Sequence, residues 1–195
     1  MNAIPPSAVI TAFSDARDER LAARDLAQKL RHDNLGCVLF FCSIDYRLDR
    51  LAGALAEAFG DLPLCGCTSA GEITSRGYDS GTIVAIGFDR RFFSVGARLI
   101  ERLDGFSLAD AQQLTDSLLC ECRAASVARV DADNTFVLTL LDGLSVNEEL
   151  VLATLNSALG SITSLGGSAG DDYRLSGTYV YSDGAFHSNA AMVLM

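Results

Sequence analysis

The sequence predicts an α/β fold, an internally duplicated pair of β-α-β-α-β-β units with mixed sheets flanked by helices. Three observations carry this prediction. Apolar runs of strand length alternate with segments of helical period. A loop of pattern Ser-Ala-Gly-acid occurs twice, as Ser69-Ala70-Gly71-Glu72 and as Ser168-Ala169-Gly170-Asp171, ninety-nine residues apart. The apolar stretches Cys37-Val38-Leu39 and Phe136-Val137-Leu138 fall at the same offset. The two repeats span about 8–91 and 92–195, with no Pro-, Gly- or Ser-rich linker between them, and together make one domain over 1–195.

In the first repeat, Ala8 to Phe13 reads as a strand, and Ser14 or Asp15 offers an N-cap for a helix from about Ala16 to Arg31 with Leu21, Ala22, Leu26 and Leu30 on one face. Gly36 suits the positive φ that follows a helix. Cys37 to Cys42 is apolar throughout, as in a strand buried on both faces. Asp45 to Phe59 has helical spacing and is closed by Gly60 and Pro63, and a strand at Leu64 to Cys67 leads into the first Ser-Ala-Gly loop. Gly81 to Phe88 is a further strand, with Phe92 to Ile100 expected as its antiparallel neighbour across Asp89-Arg90-Arg91.

Phe92 to Ile100 also opens the second repeat. Leu108 to Ala124 is its first helix, with Leu114, Leu118 and Cys122 inward; Phe136 to Leu141 is a buried strand and Asn147 to Leu159 a helix. Ser161 to Leu165 is the next strand, and Gly166 to Asp172 is a glycine-rich loop able to approach a ligand closely. A hairpin at Gly177 to Tyr181 turns on Asp183-Gly184 before the closing strand at Asn189 to Met195.

At 195 residues and 49% hydrophobic content, the chain has the material for a substantial core. Fifteen Lys and Arg stand against 25 Asp and Glu, a net charge of −10, which offers no positive field for nucleic acid or an anionic bilayer. Met1 to Pro6 lacks a secretory signal, and the apolar runs are too short to cross a bilayer, so a cytoplasmic location is expected. The six cysteines sit inside strand and helix patterns and read as reduced, packed thiols.

The two loops carry the candidate chemistry. In a duplicated α/β fold, loops at the carboxyl ends of strands line crevices, and a pseudo-symmetric pair can converge on one site. Turn N–H groups bind anions, while Glu72, Asp171 and Asp172 attract a cation, a combination matching an amino acid or similar small zwitterion or amine. The residues singled out are Thr68, Ser69, Gly71 and Glu72 from the first loop, with Gly167, Ser168, Gly170, Asp171 and Asp172 from the second. Equally, the glycines can simply make tight turns that the acids cap. Asp142, at the end of an apolar strand, needs a donor, a cation or a ligand amine once buried. Ser145 with Glu148 has the spacing of a capping box.

His187 is a possible ligand for metal or haem iron, or merely a packed residue; His32 reads as a cation at a helix C-terminus. Cys65 and Cys67 could coordinate a metal, but a Cys-x-Cys pair alone is a weak signal. Ser69 and Ser168 have no histidine at motif distance, and neither loop has a Walker or dinucleotide spacing, so a binder is expected rather than an enzyme.

Gly66 to Ile73, Leu141 to Ser145 with Asn147-Glu148-Glu149, and Gly166 to Asp172 together resemble the N-terminal FIST domain, a sensory module of bacterial signalling proteins. The resemblance covers essentially the whole chain. It implies an intracellular input domain for a small ligand, amino acids having been proposed for the family, and a signalling partner such as a histidine kinase or other output domain. It also implies haem as a cofactor to test, since some relatives are described as haem-containing nitric oxide sensors; in this sequence the candidate iron ligand is His187 or a cysteine, Cys67. A carboxylate-dependent hydrolase is a third expectation, with no motif behind it. Family members usually continue into a C-terminal FIST region, which this sequence lacks, so a longer parent chain is expected.

Overall fold

The computed structural model describes residues 7–126 and 129–195; Met1 to Pro6, read above for a leader, lie outside the described residues. The first half contains β1 (Val9–Ser14), α1 (Glu19–Lys29), β2 (Leu35–Ser43), α2 (Leu48–Phe59), β3 (Leu64–Ser69), a short hairpin of β4 (Glu72–Thr74) and β5 (Gly77–Asp79), and β6 (Ile83–Asp89). The second contains β7 (Ala97–Ile100), α3 (Leu108–Ala125), β8 (Phe136–Leu141), α4 (Glu148–Leu159), β9 (Thr163–Ser168), β10 (Val180–Ser182), β11 (Ala185–His187) and β12 (Ala191–Leu194).

These strands build a six-stranded sheet in the order β1-β6-β2-β3-β10-β11, a four-stranded sheet in the order β7-β12-β8-β9, and the separate β4-β5 pair. In the first sheet β6 runs antiparallel to β1 and β2, and β2 runs parallel to β3. In the second, β12 runs antiparallel to β7 and β8, and β8 runs parallel to β9. The second sheet therefore reproduces the strand order and directions of four strands of the first. The likeness extends to single hydrogen bonds: Ser43 N donates to Thr82 O at 2.9 Å just past the paired strands, and Asp142 N donates to Ala190 O at 3.0 Å at the same place in the second sheet.

The layers are helix, sheet, sheet, helix. Strand side chains alternate faces, so β2 sends Val38, Phe40 and Cys42 toward α1 and α2 and Leu39 toward the second sheet, which is why its whole run is apolar. The outer core of the second half joins Leu118 and Cys122 of α3 to Val151 and Leu155 of α4 over β8 and β12. Between the sheets lie Leu39, Cys65 and Cys67 against Leu140, Met192 and Leu194. Each such side chain removed from water contributes about 1.5–3 kcal/mol. Tyr181, from β10, crosses into the first core and meets Phe40 edge-on with ring centroids 5.1 Å apart. All six cysteines are free. Among the described residues no helix is long and apolar enough to cross a membrane.

Several local expectations are corrected. The N-cap of α1 is Asp18, whose side chain accepts from Leu21 N at 3.0 Å, so the helix starts at Glu19. Ser14 and Asp15 are otherwise engaged, Ser14 with Ala16 N and Asp15 with Arg76. The inward stripe of α1 is Ala22, Ala23, Leu26 and Leu30, and Leu21 faces solvent. Phe92 to Ile100 does not pair with β6. Phe92 N and Phe93 N both turn back to Asp89 O at 3.0 Å, and the chain leaves the first sheet, so that β7 forms at Ala97 and pairs with β12. Gly166, Gly167 and Ser168 are not loop but the end of β9. The turn residues Asp183 and Gly184, with φ of 49° and 82°, take the left-handed conformations a two-residue hairpin needs.

Candidate functional site

Both Ser-Ala-Gly loops leave the carboxyl ends of the strands β3 and β9, and they touch. Gly170 N donates to Thr68 O at 2.9 Å. A Cβ at Gly170 would sit 2.7 Å from Ala70 N, so the second loop can lie against the first only without a side chain there. At the base of the second loop, Ala169 N donates to Leu141 O at 2.7 Å, and a Cβ at Gly143 would stand 2.3 Å from Ala169 O. Thr68 is held from the second half too: its N donates to Tyr179 O at 2.9 Å and its Oγ1 accepts from Tyr179 N at 3.1 Å.

Glu72, 1% exposed, begins β4 directly after the first loop. It accepts from Ser69 Oγ at 2.6 Å, Thr82 Oγ1 at 2.8 Å and Thr82 N at 3.2 Å. Burial raises its pKa above the ordinary carboxylate value, the hydroxyl and N–H donors only partly offsetting it, and the Asp172 charge adds to the rise. Tyr78 from β5 donates its hydroxyl to Ala70 O at 2.6 Å and steadies the first loop.

Asp171 fills the same place in the second loop, with opposite electrostatics. Its Oδ1 accepts from Leu175 N at 3.1 Å, and its Oδ2 from Ser176 N at 2.7 Å, Gly177 N at 3.1 Å and Ser176 Oγ at 3.2 Å. The Ser176 N–H, followed by those of Gly177 and Leu175, holds its pKa down at about 2 against the opposing effect of burial. The concavity of N–H groups here is formed by Leu175 to Gly177, beyond the glycine-rich loop, and is taken by the chain's own carboxylate.

Asp142 is also spent internally. It accepts from Leu144 N at 3.0 Å, from Thr178 Oγ1 and from Asn189 N. Its counterpart in the first half is Ser43, which the offset of ninety-nine residues marks and which sequence reasoning missed; Ser43 Oγ accepts from Asp45 N at 3.2 Å as Asp142 accepts from Leu144 N. Ser43 also reaches Asp172 Oδ2 at 3.5 Å and so links the end of β2 to the second loop. Arg174, likewise unforeseen, pairs with Asp45 and lies 3.9 Å from Asp172. Asp172, Tyr173 and Leu175 adopt φ of 55°, 61° and 53°, a left-handed backbone that side chains disfavour. Three such residues within four positions are local strain of the kind found at ligand sites.

Of the residues singled out from sequence, Thr68, Ser69, Gly71, Glu72, Gly170, Asp171 and Asp172 meet where the loops join, with Asp142 buried behind them. Gly167 and Ser168 do not join this group: they lie on the exposed β9, where Ser168 Oγ donates to Glu148 of α4. That bond also removes the expected capping box, since Glu148 turns to Ser168 and the N-cap, Asn147, makes no side-chain cap bond. A capping box does form on α3, between Ser107 and Asp110.

The haem ligands suggested above do not fit the group. Cys67 pairs with Val180, and Val180 with His187, so the two side chains flank a fully buried Val180 on one sheet face. Cys67 lies in the inter-sheet core, and burial lifts its thiol to about 12, which disfavours the thiolate needed for ligation. Among the described residues no three His, Cys, Asp or Glu gather as a metal site.

A family model, the FIST N domain, matches residues 36–195. Among solved structures, the crystal structure of cyanuric acid hydrolase from A. caulinodans is similar at 11% identity and a TM-score of 0.43, over 96% of this chain and 70% of that one. No curated protein matches.

Proposed function

This chain belongs to the FIST family, sensory domains of signal-transduction proteins, and from that premise we propose that it binds a small zwitterion or amine, such as an amino acid, where the two loops meet. The observation that carries this reading is the contact of the two loops at Gly170 and Thr68, next to a buried carboxylate of the first loop, Glu72, whose partners among the described residues are hydroxyls and an N–H and no cation. A ligand ammonium supplies the positive charge that Glu72 lacks. The ligand carboxylate turns to Arg174, and the hydroxyls of Ser43 and Ser69 complete the site. The strained segment at Asp172 to Leu175 is the element a ligand can rearrange, and its movement is the signal passed to an output partner such as a histidine kinase. The reading is of a binder with no catalytic residue, in the cytoplasm.

Thermal-shift measurements with a panel of amino acids and small amines test it. A ligand at a hundred times its dissociation constant stabilises by ~2.7 kcal/mol, and Glu72→Gln should abolish the shift for that ligand while leaving the unliganded fold intact. A panel in which no amino acid or amine raises the midpoint sinks the proposal.

A further inference from the structure

Cys65 and Cys67 alternate onto one face of β3, but the thiol that meets Cys65 comes from the neighbouring strand. On β2, Cys37 pairs with Phe88 and Leu39 with Ile86, and Cys37 and Leu39 share a face because strand side chains alternate. That face looks onto the second sheet, where Leu39 and Phe88 pack. Cys65 pairs with Leu39 across β2 and β3 and belongs to the same inter-sheet cluster. The Cys37 and Cys65 thiols thus stand on one face of two adjacent parallel strands, and they hydrogen-bond to each other. Cys67 lies one pleat further along β3, toward the loop.

A third sulfur comes from the opposite sheet. Met192 of β12 lies in the same cluster as Cys65, and the two residues share the wall of a cavity of about 530 Å³. Cys37 is fully buried, and Cys65 and Met192 are each 2% exposed. All three are held in the core between the sheets, so their placement does not depend on what covers the outer surface of either sheet. The charged residues lining the cavity are Asp61, Asp183 and the ion-paired Arg98 and Glu121, three carboxylates against one guanidinium, a balance that favours entry of a cation.

Two thiols and a thioether are soft ligands, which select monovalent copper. Zinc takes four N, S or O ligands, and among the described residues no three His, Cys, Asp or Glu gather to supply them. We propose that Cys37, Cys65 and Met192 form a binding site for one copper(I) ion, entered from the cavity beside β3. Cys37 and Cys65 ligate as thiolates, each releasing its proton to solvent, and the neutral Met192 thioether completes a three-sulfur set. Cys65 lies at the amino end of β3 and the Ser-Ala-Gly loop leaves its carboxyl end, so copper binding is independent of the ligand proposed at the loops.

Anaerobic titration of the full chain with copper(I) buffered by a chromogenic chelator tests it, in a Cys120→Ser background because the Cys120 thiol is exposed. One copper(I) per chain is expected. Cys37→Ala and Cys65→Ala should each lose that equivalent with unchanged circular dichroism, and Cys67→Ala should keep it. Met192→Leu, which conserves volume, should give the copper up at a lower chelator concentration. X-ray absorption of the copper-loaded parent, which needs no core variant, should show sulfur ligands alone. A chain that retains no copper(I), an equivalent that survives Cys37→Ala or Cys65→Ala, one lost equally in Cys67→Ala, one indifferent to Met192→Leu, or nitrogen or oxygen among the ligands overturns the site.

Discussion

Glu72 and Asp171 occupy the same position in two loops of one pattern, yet the first is pushed toward protonation and the second held ionised. The difference is that burial dominates at Glu72, whereas N–H donors dominate at Asp171. Glu72 faces two hydroxyls and a single N–H, whereas the longer connection after Asp171 folds back so that Leu175, Ser176 and Gly177 present successive N–H groups. The chain carries two acidic loops of one pattern; the residues after Asp171 make one a structural clasp, while Glu72 meets no cation among the described residues. The binding role we propose therefore falls to the Glu72 loop, and the Asp171 loop holds the connection that follows it.

The sharpest way to break this division is at the strand ends beneath the loops, where Asp142 and Ser43 correspond. Asp142→Ala strips three donors of their acceptor, each at about 1–3 kcal/mol, so urea unfolding should show a loss of about 3 kcal/mol or more. Ser43→Ala removes one N–H contact and should cost about 1 kcal/mol. Equal losses would mean the halves are not specialised.

Gly170→Ala comes next. Its Cβ meets backbone at 2.7 Å, so the loops must part, at about 1–3 kcal/mol, with loss of any ligand-induced thermal shift. A variant that keeps the shift would place the ligand site away from the loop contact.

The smallest effects are in the pH profile. Because the folded pKa of Glu72 is raised, the folded state keeps a proton that the unfolded chain has released, so stability falls as pH climbs from about 4.5, the ordinary value, to the folded one, and is level above it. For Asp171 the sign is opposite: stability is fully present above about 3.8 and is lost as pH falls toward about 2. Glu72→Gln should flatten the first limb alone and Asp171→Asn the second alone, as read by urea midpoints against pH.

Much of this fold was legible because the strongest patterns are local. Phe136 to Leu141 is apolar on both faces because it lies between α3 and α4 on one side and the first sheet on the other, and Asp183-Gly184 has the chemistry its turn demands. What alternation cannot say is which edge a strand joins: Phe92 to Ile100 reads as a neighbour of β6, and only the turn at Asp89 sends it to the other sheet. The meeting of the two loops was legible from their repetition, but which carboxylates remain available there was not. Asp142 and Asp171 are satisfied by Thr178, Asn189 and Leu175 to Gly177, partners that no spacing rule ties to them. Ser43 was hidden because a lone serine has no signature until the offset is applied to it.

The crossing of β10 into the first sheet has a consequence for how the chain is made. The edge of β3 is complete only when Val180 and Tyr181 arrive, more than a hundred residues after Cys67 and Gly66. At a synthesis rate of roughly 5–20 residues per second, the first half waits on the order of ten seconds with an open strand edge and a bare inter-sheet face. Neither half can finish alone, so equilibrium unfolding should be one cooperative transition, and a fragment ending near residue 91 should aggregate during translation rather than fold.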